Sequence, residues 1–311
     1  MPKKITFETV QPFQDLPVLV AHREGLFAKE GLEIEFVKGS ERYAVVKTDR
    51  NVTNPDGLSS RLGHGSGHAS GEAMMYNACE WGNYRRVQDS GDTARQVGRR
   101  ASVAYGAIIV APGSSVYTPQ QLANVPVGVP YYNGTHYLAL QMLEGFLPRD
   151  LIKTCQATNS AAKRFRALMD GELDATTVVE PYITVAEKAG CRIVIQAGFH
   201  GTEVASDEVD AETYAAFKRA VKEAVRRVNA DKRKYVHYFI DYYKDDPLVA
   251  ALTPEDFNLG RIQVVEPGPI PEEELRRTYE WMLSWNLIDT GLGTDDLVQT
   301  DVMEKAQQLA G

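Results

Sequence analysis

A strand, a helix and a second strand follow one another between Lys4 and Val37, and this pattern constrains the fold more than any other feature of the chain. Lys4 to Val10 alternates apolar and polar residues as a strand does. Gln11-Pro12-Phe13-Gln14-Asp15 reads as a turn, and Pro17 can take the first helical turn, where a missing N–H costs nothing. From Val18 to Lys29, Leu19, Val20, Leu26 and Phe27 recur at helical spacing; Gly31 closes the helix, and Leu32 to Val37 alternates again. A βαβ unit of this kind implies a parallel sheet with helices on its faces.

The same grammar restarts downstream. Val125 to Val129 is a short buried strand, followed by Asn133-Gly134-Thr135 and a helix from His136 to Phe146. Leu151 to Gln156, Asp174 to Val179 and Cys191 to Gln196 read as strands, and Ala161 to Met169 and Tyr182 to Lys188 as helices. After Thr213 the chain turns helical and charged over Ala215 to Val228, Arg233 to Tyr243 and Glu272 to Trp285. Tyr235, Tyr238, Phe239, Tyr242 and Tyr243 fall at helical spacing and read as core. Ala73 to Cys79 reads as an apolar helix.

Composition excludes several classes. A formal charge of −8 over 311 residues argues against a nucleic-acid partner, which needs a basic face. No apolar run approaches the roughly 20 residues of a membrane span, so the chain is not expected to be membrane-embedded. Cys79, Cys155 and Cys191 are odd in number and widely spaced, which excludes a CxxC-type zinc site and makes a disulfide framework unexpected. No metal and no cofactor is expected, and GxSxG, HExxH and Walker sequences are absent. Met1-Pro2-Lys3-Lys4 is followed by Ile5-Thr6-Phe7-Glu8 rather than an apolar stretch. This predicts a cytoplasmic protein as the chain stands, and a periplasmic or surface-anchored one if an export signal has been removed.

Two stretches carry candidate ligand chemistry. In Gly63 to Gly71, His64 and His68 flank Ser66, and glycines such as Gly67 free backbone N–H groups to approach a ligand. In Tyr131-Tyr132-Asn133-Gly134-Thr135-His136 a strand end meets a helix start, where open α/β sheets bind ligands. The helix start favours an anion, and the tyrosines could stack on a ring; Asn133 or Thr135 also suits a helix cap.

Three segments together resemble the type-II periplasmic binding proteins, in the nitrate/sulfonate/taurine and thiamin-pyrimidine-synthase-like branch. They are Pro17 to Val37 (PVLVAHREGLFAKEGLEIEFV), Ala167 to Pro181 (ALMDGELDATTVVEP) and Trp285 to Met303 (WNLIDTGLGTDDLVQTDVM). The resemblance implies an α/β fold of two doubly wound lobes with a ligand cleft between them. Lobe one is expected from residues 1–107 and 200–311, and lobe two from 108–199, with crossings near Ala104-Tyr105-Gly106 and Ala197-Gly198. It further implies ligand contacts from Gln11, Phe13 and Gln14 in a first loop, and from Glu180 and Tyr182 in the loop after a strand of lobe two. The same superfamily holds enzymes, but this chain lacks the CCCFC stretch of the thiamin enzymes and has Pro12 where the nucleophilic cysteine of a sulfinate desulfinase would fall.

The expected function is binding of one small organic molecule, an anionic or aromatic acid, as the solute-binding component of an ABC-type importer, with an ABC permease as partner. The alternative is a cytoplasmic enzyme on the same fold, a decarboxylase, desulfinase or other lyase. In that case His64, His68 and His136 would serve as acid and base from the cleft.

Overall fold

In the computed structural model the described residues are 2–8, 11–37, 66–69, 71–90 and 95–310. The chain begins β1 (Lys3–Glu8), α1 (Pro12–Arg23), α2 (Leu26–Lys29), β2 (Leu32–Val37), α3 (Ser66–Ala69), β3 (Met75–Ala78), α4 (Glu80–Ser90) and β4 (Arg95–Val110). Next come β5 (Pro126–Val129), α5 (Gly134–Glu144), β6 (Lys153–Gln156), α6 (Ala161–Met169), β7 (Ala175–Val179), α7 (Tyr182–Lys188) and β8 (Arg192–Ala205). It ends with α8 (Ala211–Ala230), α9 (Lys232–Tyr235), α10 (His237–Tyr242), α11 (Pro247–Ala250), β9 (Gln263–Val264), α12 (Glu272–Ser284), α13 (Thr294–Leu297) and α14 (Thr300–Ala310).

One nine-stranded sheet carries the fold in the order β2-β1-β3-β8-β4-β7-β5-β6, with β9 paired to β4. The outer trios are parallel: β1 pairs with β2 and β3, and β5 with β6 and β7. Between them β4 and β8 run antiparallel from the Arg95–Ala205 pair to the Val110–Arg192 pair, with an irregularity between Arg99 and Val103. These two strands bind one trio to the other. Period-2 alternation then sorts the core by face of the sheet. Ala107 and Ile109 of β4 join the cluster under α1, α8 and α7, whereas Ile108 and Val110 join the cluster under α4, α5 and α12.

The structure departs from the sequence reading in three places. The expected turn at Gln11 to Asp15 is already helical: Gln11 is the N-cap, Pro12 takes the first turn, and Pro17 lies inside α1. Asp15 makes this start work, because its Oδ2 accepts the Gln11 N–H at 2.6 Å. The apolar run Ala73 to Cys79 is strand, not helix. All four β3 residues are buried between β1 and β8, and a short apolar run buried on both faces has no period to tell the two apart. The last strand of the central block continues past Gln196 to Ala205, because β4 supplies a partner along its whole length.

At Gly106 and Gly198, glycine serves closeness rather than unusual dihedrals. A Cβ on Gly106 would lie 2.7 Å from Leu138 Cδ2, and one on Gly198 would lie 2.9 Å from Val103 Cγ1. The aromatic stripe is core in large part: Tyr235, Tyr238 and Phe239 are buried, while Tyr242 is exposed.

Candidate functional site

The carboxyl end of β3 meets the start of α5 beside β8. Asn133 caps α5, its Oδ1 accepting from the Thr135 N–H at 3.4 Å. Gly134 opens the helix at close quarters: a Cβ there would stand 3.2 Å from both Cys79 Cβ and Phe199 Cζ, so a larger residue would need these neighbours to give way slightly. Cys79 follows β3 directly, and burial raises the pKa of its thiol. From the α1 side, Gln14 is buried and its Oε1 accepts from Arg100 Nη1 at 3.1 Å. Gln14, Arg100, Cys79, Phe199 and Gly134 therefore form one cluster, with the positive end of α5 facing it across Phe199. A small pocket nearby is lined by Phe13, Ser102, Tyr105, Glu180 and Arg261.

The other sequence-derived residues divide by what already occupies them. Gln11 Oε1 accepts from the Tyr243 hydroxyl at 3.5 Å, and Phe13 packs between the two core clusters. Tyr131 is buried, which pushes its phenol up to about 12, and its hydroxyl donates to the Thr154 carbonyl at 3.4 Å. Tyr132 adopts φ 58° and lies under the Arg85 guanidinium, 4.6 Å from its ring centroid.

His136 is fully buried among Tyr131, Tyr132 and Tyr137, and desolvation lowers its pKa to about 3. Its Nδ1 accepts the Tyr132 N–H at 3.2 Å, which places the ring proton on Nε2. It is a neutral wall residue behind the start of α5 and presents no solvent-facing base.

Within the glycine-rich stretch, the amides of Gly67 and His68 are taken by the protein itself. The N–H groups of Gly67 and His68 donate to Glu8 Oε2 at 3.1 and 3.3 Å, and a Cβ on Gly67 would lie 3.3 Å from that oxygen. Ser66 begins α3, and His68 is buried with its ring 5.3 Å from that of Tyr76. His64 lies outside the described residues.

Glu180 and Tyr182 belong to a second cluster. Glu180 accepts from Arg261 Nε at 2.6 Å and from the Thr184 hydroxyl at 2.9 Å, and burial raises its pKa against the pull of Arg261. Tyr182 donates to Asp246 Oδ2 at 2.7 Å, an oxygen that also accepts from Arg166 Nη2 at 2.8 Å. Both residues fasten the β7–α7 corner to the chain beyond residue 240.

Sequence reasoning missed Arg100, Ser102 and Phe199. The available signal was the pair Arg99-Arg100 heading the small and apolar run Ala101 to Val110, a costly place for a cation to be carried into a core.

No protein-family model matches the sequence, and no curated protein does. Solved structures match over nearly the whole length. The aliphatic sulphonate binding protein SsuA of Escherichia coli aligns with a TM-score of 0.69 at 14% identity, covering 96% of this chain and 91% of that one. The alkanesulfonate-binding protein SsuA of Xanthomonas axonopodis pv. citri, bound to MOPS, aligns with a TM-score of 0.69 at 13% identity, covering 97% of each chain. A variant of DszB in complex with biphenyl-2-sulfinic acid aligns with a TM-score of 0.65 at 12% identity, covering 99% of each chain. With parallel trios joined by two shared antiparallel strands, and with these likenesses across its length, the chain has the two-lobed α/β fold of the type-II periplasmic binding proteins.

Proposed function

We propose that this protein binds one small organic acid between its lobes, as the solute-binding component of an ABC-type importer. The lobes are residues 1–107 with 200–311, and residues 108–199. The observation that carries this reading is the seating of Gly134 against Cys79 and Phe199. It brings the positive end of α5, from one lobe, to the carboxyl end of β3 in the other. Such a junction suits an anion, and Tyr132, just before α5, suits an apolar or ring-like body. The likeness to sulfonate-binding proteins of this fold supports the assignment, and the same reading carries a permease partner and a periplasmic location. A cytoplasmic location finds no support among those structures. Among the described residues no helix is long and apolar enough to cross a membrane.

A lyase on this fold is the second reading, favoured by the likeness to DszB. The buried, neutral His136 weakens it, since a general base must reach the proton it takes.

A thermal-shift panel of organic sulfonates, carboxylates, amines and neutral alcohols tests the binding reading. An acid present at 100 times its dissociation constant should add about 2.7 kcal/mol of stability. A panel in which amines stabilise and no acid does would overturn it.

A further inference from the structure

One buried cation near the start of α5 has no assigned task. Arg100 is 0% exposed and sits at the irregularity of β4, beside the last residue of β3 and the first turn of α1. Its Nε donates to the Ser102 carbonyl at 3.0 Å, and its Nη1 to Gln14 Oε1 at 3.1 Å and more weakly to the Ala78 carbonyl at 3.5 Å. Its Nη2 is buried and has no hydrogen-bond partner among the described residues. Every acceptor it does have is neutral.

Asp15 and Cys79 both act on it through charge, yet neither forms an ion pair with it among the described residues. The Asp15 oxygens accept from the Gln11 N–H and, at 2.6 Å, from Asn77 Nδ2. Burial lowers the Arg100 pKa only to about 10, so the guanidinium remains charged at neutral pH.

The surroundings are shaped to hold this group. A Cβ on Gly201 would stand 2.5 Å from Arg100 Cζ, so the backbone there admits the guanidinium only because the residue is glycine. The guanidinium carbon lies 5.0 Å from the centroid of Phe199, whose edge touches Gly134 at the start of α5. The hydroxyls of Ser102 and Thr135 are also buried without a partner among the described residues. Arg100, with a spare donor, thus lies against Ser102 and Phe199, and Phe199 in turn lies against the start of α5. A buried charge with no carboxylate in direct contact among the described residues is costly, and such a cost is a mark of function.

We propose that Arg100 is the counter-ion of the bound ligand, pairing its Nη2 with a sulfonate or carboxylate head, with Ser102 Oγ as a second donor. This rests on the ligand-binding reading above. An anion head with two or more equivalent oxygens can take Nη2 and a hydroxyl on separate oxygens and supplies the negative charge that a neutral alcohol lacks.

The test uses the full chain with benzenesulfonate and benzoate as probes, benzyl alcohol and benzylamine as controls, and isothermal calorimetry as the readout. The wild type should bind at least one of the two anions and neither control, and the preferred anion identifies the head group. Arg100→Gln should weaken that binding by about 100-fold or more, since a buried charge pair loses one partner. Arg100→Lys should weaken it by about 10-fold, because lysine keeps the charge and loses the second nitrogen. Ser102→Ala removes a hydroxyl with no partner among the described residues, so its fold should be unchanged and its affinity about fivefold lower.

Circular dichroism shows which variants fold. If Arg100→Gln does not, Arg100→Lys and Ser102→Ala decide the matter. Folded variants that bind the anion within threefold of the wild type overturn the role of Arg100 and leave the binding reading standing. A wild type that binds neither anion overturns both.

Discussion

Arg261 is 5% exposed and grips two carboxylates; Arg100 is 0% exposed and grips none among the described residues. Arg261 donates to Glu180 at 2.6 Å and to Glu187 at 3.0 and 2.7 Å, so its charge is answered from two directions. That node ties the β7–α7 corner to the segment before β9 and leaves no polar demand for a ligand to meet. The Arg100 node has the opposite balance, with a full charge, neutral acceptors and a spare donor. A buried cation satisfied within the protein is architecture, and one left short is a place where something else completes the set.

The comparison breaks most readily at Arg261. Arg261→Ala should leave Glu180 buried without its cation and cost about 3–5 kcal/mol, read as a lower urea midpoint. A shift below about 1 kcal/mol would show that the node is not structural.

A buried carboxyl sharpens the same contrast. Glu203 is fully buried, and burial pushes it up to about 7, with the Tyr214 hydroxyl donating to its Oε2 at 2.5 Å and no partner for Oε1 among the described residues. Between the ordinary carboxyl value and about 7 the folded state holds a proton that the unfolded state has released. Stability from this group is therefore full at low pH and is lost as pH rises through that window. Glu203→Gln removes the titration without changing the shape. The variant should gain on the wild type as pH rises from 5 to 8, and denaturation curves with a constant difference across that range would contradict the assignment.

Arg100→Met should change stability by less than about 1.5 kcal/mol, in either direction, since an uncompensated buried charge and its hydrogen bonds are lost together. A loss as large as that expected for Arg261→Ala would erase the distinction between the two arginines. Smallest of all should be Lys188→Ala. Lys188 pairs with Asp256 at 2.8 Å from a side chain 49% exposed, and removing such a surface pair should shift stability by no more than about 0.5 kcal/mol.

Local chemistry was readable where local rules sufficed. β2, α6 and α7 fall where their periodicity places them, because each shows one apolar face and a clear stop signal. β3 was misread because a strand buried on both faces has no polar side to reveal its period. The start of α1 was missed because its helical geometry depends on Asp15 closing back onto Gln11, in a stretch whose prolines read as a turn. Gln14, which the family resemblance singles out, and Gly134 lie in the Arg100 cluster, whereas Tyr131 and His136 pack against one another.

By itself the sequence determined an α/β sheet built from repeated βαβ units and the strand-to-helix turn before α5. The tertiary structure alone decided which buried charges are answered. Glu180 and Arg261 are 81 residues apart, and Arg100 and Gln14 are 86 apart. Whether a guanidinium meets a carboxylate or an amide depends on how distant strands cross, and hydrophobic periodicity, which fixes only the face a residue takes within its own element, carries no record of that crossing.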